Sequence, residues 1–220
     1  MIILDFYFHD SSIMYIVFEW TVGTGKSTQS KLLVEHLKSQ YPNREVIRVR
    51  EPGTTPISEA IRTLVQWTDF DEYMHPICEA YLYSAARAQL MNTVIKPALA
   101  RDAIVVSDRC FWSSLSYQWY TKWTGIETIW QVNKPIVESC LPDLVLFFDM
   151  PVEIGLSRTF DGVGDKHELN GKEFFEQAHE WYLACIADGR FAKKTVSIDA
   201  LGTIEEVSTR ILTQVNPLLS

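Results

Sequence analysis

At 220 residues, 47% hydrophobic and 22% charged, the chain has the size and composition of one α/β domain with a substantial core, which excludes the disordered and collagen-like classes. A net charge of −8 argues against a surface built for nucleic acid and leaves room for a small basic pocket that takes a phosphate. Cys78, Cys110, Cys140 and Cys185 are dispersed, with no C-x-x-C spacing and no histidine cluster, so neither zinc nor a disulfide framework is indicated.

Residues 1–13 carry Asp5 and Asp10 and lack a basic start, which makes a poor signal peptide, and no run approaches the ~18 apolar residues of a membrane span. A cytoplasmic protein without a membrane partner is expected. Residues 1–13 are read as an extension, with translation beginning at Met14 and a single domain over 14–217.

MYIVFE at 14–19 is an unbroken apolar run of the kind found in buried strands, and residues 27–40 follow it with helical spacing. Between them, Gly23-Thr24-Gly25-Lys26-Ser27 is the second half of a phosphate-binding loop, G-x-x-x-x-G-K-[ST]. Small residues let consecutive N–H groups curl round a polyphosphate, Lys26 reaches its outer phosphates, and the Ser27 hydroxyl can hold magnesium. Thr28 lies in the first turn of a helix whose positive end faces the anion. The Gly expected at the start of the motif is Trp20, and an indole there is forced towards the anion or into backbone strain.

REVIRVR at 44–50 alternates like a second strand and enters the loop EPGTTP; helical spacing resumes over 57–65 and 76–98, the latter bent or ended near Pro97. AIVVS at 103–107 is a short strand running into Asp108-Arg109, with helices expected over 113–119 and 126–137. DLVLFFDM at 143–150 is a strand closed by Pro151, with a helix through Arg158. Residues 159–168 have no apolar period and read as a mobile lid; 171–187 and 203–215 read as helices flanking a last strand at 195–199. Strands alternating with helices predict an α/β fold: a five-stranded parallel sheet with helices on both faces and ligands at the carboxyl ends of the strands.

Four blocks in order, FEWTVGTGKSTQ, REPGTTPISEAIR, YSAARAQL and SDRCFWSSLSYQ, resemble the thymidylate kinase family, and PDLVLFFDMPVEIGLSR with FFEQAHEWYL matches its closing half. The resemblance covers about 14–215. It implies a P-loop kinase fold and transfer of the ATP γ-phosphoryl group to the 5′-phosphate of dTMP with Mg2+. ATP is then expected on Gly23, Thr24, Gly25, Lys26, Ser27 and Thr28, with Ser27 and Asp108 at the metal. By the same resemblance Lys26 and Arg109 serve catalysis, Arg50 and Arg109 grip the acceptor phosphate, Tyr83 stacks on thymine and Arg87 bonds its carbonyl. Ser114, Tyr117 and Gln118 complete the substrate site. The family also supplies an arginine from the phosphate loop or the lid; this loop has Thr24, so Arg158 is the candidate, with Lys166 further on. Val22 stands where an acidic residue contacts the sugar, and Cys110 replaces an aromatic or His. The family is commonly a homodimer.

A deoxynucleoside kinase tolerates an apolar residue at the position of Val22 but generally lacks REPG. A non-catalytic nucleotide-binding relative would have Trp20 in the phosphate site. Trp20, Trp119 and Trp181 each stand where the resemblance expects Gly, and 10 Gly falls short of the roughly 15 implied by average usage. One reading is a gene that uses UGA for Gly, translated with UGA as Trp; the other is a diverged, inactive paralogue. UGG at codon 20 would end the first.

Overall fold

The computed structural model describes residues 14–20, 23–66, 71–120, 125–158 and 171–219, without the side chains of residues 118–120 and 125. The expected extension, Val22, Trp67, Trp123, the 159–168 segment with Lys166, and the side chains of Gln118 and Trp119 lie outside the described residues.

Strand β1 (Met14–Glu19) is buried at all six positions. Successive side chains of a strand point to opposite faces, so both faces of the sheet are covered here, as an unbroken apolar run requires. β2 (Val46–Arg50), β3 (Ile104–Asp108), β4 (Leu144–Asp149) and β5 (Thr195–Asp199) complete a sheet of order β2-β3-β1-β4-β5 in which every neighbouring pair is parallel. The expected α/β P-loop kinase architecture is therefore present.

The helices are α1 (Lys26–Gln40), α2 (Pro56–Gln66), α3 (Pro76–Leu90), α4 (Lys96–Leu99), α5 (Phe111–Tyr120), α6 (Gly125–Val137), α7 (Val152–Ser157), α8 (Gly171–Asp188) and α9 (Ile204–Val215). α1 and α9 pack together, while α5 packs on α3, α6 and α8. The bend expected near Pro97 is a π-helical turn, Met91–Ile95, that joins α3 to α4. It falls just before Pro97, where the wider turn relieves the clash between the proline ring and the carbonyl of residue 93. α9 starts at a reciprocal cap in which Thr203 and Glu206 each accept the other's backbone N–H. Among the described residues no helix is long and apolar enough to cross a membrane.

Register decides what meets at the carboxyl edge. Phe18 and Arg50 both lie level with Asp108, and Glu19 with Phe147. The phosphate loop after β1, the REPG loop after β2 and Arg109 after β3 thus leave the sheet side by side. Strand order reverses at β1, which is where an open parallel sheet leaves a crevice for ligand.

Candidate active site

The carboxyl ends of β1, β2 and β3 open on a cavity of about 360 Å³. The phosphate loop lines it from Gly23 to Thr28, with Arg50, Tyr83, Arg87, Asp108, Arg109, Ser114 and Tyr117. Residues read separately along the sequence are brought together. Arg158 is not among them: it is exposed at the end of α7.

Gly23 has φ +72°, and a Cβ there would lie 1.9 Å from the carbonyl oxygen of Gly155. Only glycine lets the loop pass this close to α7. Lys26, whose Nζ donates to Thr24 Oγ1 at 3.1 Å, is buried. Burial, then the charge of Arg109, lower its pKa from 10.5 to about 7, against the pull of Asp108 and Glu19. Below about 7 both folded and unfolded chains carry the Lys26 proton, and the penalty of burying the charge is fully felt. Between about 7 and 10.5 the unfolded chain binds more protons, so stability rises with pH across that window. A polyphosphate reverses the balance by favouring the ammonium form. ATP binding at about pH 8.5 is therefore expected to take up a large fraction of a proton, measured by calorimetry in two buffers of different ionisation enthalpy. Lys26→Met should abolish the uptake; equal uptake in both proteins would refute the assignment.

Arg109 sits in a left-handed conformation, φ +72°, with its N–H bonded to Phe18 O at 2.9 Å. Its Nη1 donates to Trp20 O at 2.9 Å and to Ser113 Oγ at 3.1 Å. Among the described residues Nε and Nη2 make no hydrogen bond, so one edge of the guanidinium is available for the paired bonds a phosphate accepts.

Ser27 Oγ donates to Asp108 Oδ2, and Arg48 Nη2 reaches the same oxygen at 3.2 Å while its Nε bonds Ser30 Oγ at 2.8 Å. A hydroxyl beside a carboxylate is the hard-oxygen pair that magnesium takes together with substrate phosphates, so these residues fit the ion. Arg50 Nη2 is held by both Glu59 oxygens, at 3.0 and 2.9 Å. Glu59, from α2, thus occupies part of the grip that Arg50 would offer a phosphate.

At the other end, Arg87 is 3% exposed. Its Nε bonds Glu51 Oε2 at 2.6 Å, Nη1 bonds Asn133 Oδ1 at 2.5 Å and Nη2 bonds Ser114 Oγ at 3.0 Å. Burial raises the Glu51 carboxyl pKa and the Arg87 charge opposes that rise. Tyr83, one helical turn before Arg87, lines the same cavity.

Arg48, Glu51, Glu59 and Asn133 were not read from the sequence. Arg48 left a signal, being a charge between apolar residues in the middle of β2, and Glu51 stands within the REPG block. Nothing local marks Asn133.

Trp20 has φ +143° and is fully buried. Its indole lies 5.1 Å from the Phe147 ring, 4.5 Å from His179 and 5.7 Å from Tyr182, between β4 and α8 and outside the cavity lining. Of the two outcomes expected for an indole here, strain is the one observed. The reading in which Trp20 fills the phosphate site is overturned, because the side chain turns into the core.

The thymidylate kinase family pattern matches residues 18–211. The chain is 38% identical over 204 residues to a thymidylate kinase of Leuconostoc mesenteroides, covering 90% of this chain and 94% of that one. It is 37% identical over 206 residues to one of Fervidobacterium nodosum, covering 94% and 100%, and 39% identical over 207 residues to one of Pseudomonas fluorescens, covering 94% and 96%.

Proposed function

Since the chain belongs to the thymidylate kinase family, we infer that it is an ATP-dependent phosphotransferase that converts dTMP to dTDP in the cavity at the carboxyl edge of its sheet. The observation that carries the site is the meeting, in one cavity, of a phosphate loop with Tyr83, Arg87 and Ser114.

The proposed roles are those the family resemblance implies, and the geometry supports them. Gly23 to Thr28 hold the ATP phosphates through backbone N–H groups, with Lys26 at the outer ones. Arg109 and Arg50 grip the acceptor phosphate, Arg50 by giving up part of its bond to Glu59. Arg87 donates to the thymine carbonyl from a fork fixed by Glu51 and Asn133, and Tyr83 stacks on the ring. Tyr117 and Gln118 complete the substrate site. An acceptor phosphate oxygen bonds to the γ-phosphorus as the bond from that phosphorus to the β–γ bridging oxygen breaks, releasing ADP. Such a loose transfer asks the protein mainly to align two anions and neutralise their charge. Ser27 and Asp108 would hold Mg2+, which when bound shields the phosphate charges. Arg158 is proposed from the resemblance alone, as a charge for the donor side.

We also propose a cytoplasmic homodimer built on the domain over 14–217. Ile57 and Leu64 on α2, Tyr73, and Ile77 and Tyr81 on α3 are large exposed apolar side chains on neighbouring elements, the composition of a face that a second copy would cover.

The test is phosphorylation of dTMP, thymidine and other nucleoside monophosphates assayed side by side. Preference for dTMP is expected; faster turnover of thymidine would favour the deoxynucleoside kinase reading. Ser114→Ala should raise KM for dTMP by roughly 5-fold, the worth of one hydrogen bond, and leave KM for ATP unchanged. An unchanged KM for dTMP would remove Ser114 from the substrate site.

A further inference from the structure

Glu19 is the one charged residue of β1 and is fully buried. Its Oε1 accepts from the backbone N–H groups of Cys110, at 2.7 Å, and Ser113, at 3.3 Å. Its Oε2 accepts from Ser113 Oγ and Tyr182 Oη, each at 2.8 Å. These donors come from the first turn of α5 with the residue before it, and from α8. The carboxylate thus lies at the positive end of α5 and is satisfied on both oxygens.

Stability does not call for a charge here. The rest of the strand is apolar, and a buried ionic network contributes on average no more than well-packed apolar side chains of similar volume. What the carboxylate supplies is orientation. Ser113 Oγ has one hydrogen, and in donating it to Glu19 the oxygen turns its lone pairs outward. It then accepts from Arg109 Nη1 at 3.1 Å. The second Nη1 hydrogen goes to Trp20 O, the carbonyl of the residue that follows Glu19. Both restraints on the guanidinium therefore start from the end of β1, and they leave Nε and Nη2 facing no protein acceptor among the described residues.

We propose that Glu19 is a positioning residue for phosphoryl transfer, acting through Ser113 to fix the guanidinium of Arg109. Without the carboxylate, Ser113 Oγ is free to turn its hydrogen towards Arg109, and the fork loses its second anchor. The proposal rests on the reading of Arg109 as a phosphate-binding group, and the experiment separates the two.

Turnover of dTMP is measured for Glu19→Gln, Ser113→Ala, Arg109→Ala and the two doubles that combine Arg109→Ala with each of the others. Glu19→Gln and Ser113→Ala are each expected to lower kcat/KM for dTMP by roughly 10- to 100-fold, the scale of a displaced binding group. In the Arg109→Ala background each should cost less than about 2-fold more, because their effect passes through the side chain already removed. A purely structural role would cost the same in both backgrounds, and that additivity would overturn the proposal. Full activity of Arg109→Ala would instead overturn the reading of Arg109. Ser113→Ala keeps the test decisive if Glu19→Gln does not fold, since it cuts the same chain at its middle without leaving a buried charge bare: Glu19 keeps its other donors.

Discussion

Arg109→Ala is expected to lower kcat for dTMP phosphorylation by roughly 10²- to 10³-fold, the cost of removing one preorganised donor from developing negative charge. The guanidinium is tethered by Nη1 and lines the cavity, so in the proposed reaction it would meet the transition state already oriented. Loss of the same tether leaves Trp20 O and Ser113 Oγ with one partner fewer, and a stability loss of about 1–3 kcal/mol is expected alongside. Arg109→Lys keeps the charge and loses the fork, so it should recover stability more than activity. Near-normal turnover of Arg109→Ala, with unfolding monitored in parallel, would take this residue out of the reaction.

Trp20 offers a test in which the usual ranking of two substitutions is inverted. Truncating a buried Trp to Ala typically costs about 3–5 kcal/mol, and that loss is expected for Trp20→Ala. Ala inherits the φ of +143°, however, and glycine does not feel it. Release of backbone strain is worth about 1–3 kcal/mol, so Trp20→Gly should be the more stable of the pair by that amount, although Gly is normally the worse residue. Urea unfolding of both variants measures the difference directly, and an equal or better Ala variant would show that the position carries no strain. Because the indole lies outside the cavity, a glycine here has no steric means of raising ATP affinity. The effect belongs to stability. A UGA codon at position 20 would make the glycine form the one the cell contains.

The sheet was legible because its strands are covered on both faces. MYIVFE and TVSID were bounded correctly to the residue, and the other strands differ from expectation by one or two positions at their ends. Short-range chemistry was legible too: the phosphate loop announces itself by spacing, and Asp108-Arg109 by its place at the end of an apolar run. What could not be read were partnerships across the chain. Glu51 and Arg87 form a buried pair 36 positions apart, and Asn133 meets Arg87 from 46 positions away. No local pattern encodes either contact. The fate of the Trp20 indole was left open for the same reason, since it depends on where α8 packs.

The sheet order has a consequence for the chain as it is made. β1 lies at the centre, between β3 and β4, yet it precedes both. Roughly ninety residues separate Glu19 from Asp108 and a further forty separate that point from Asp149, so at about 5–20 residues per second β1 waits several seconds for its first neighbour and longer for its second. Throughout that interval a strand without one solvent-tolerant face, with Glu19 at its end, has no native partner on either edge. β1 is thus the strand a nascent chain leaves unpaired longest, and synthesis is when it is most open to capture by a chaperone or by another unfinished copy.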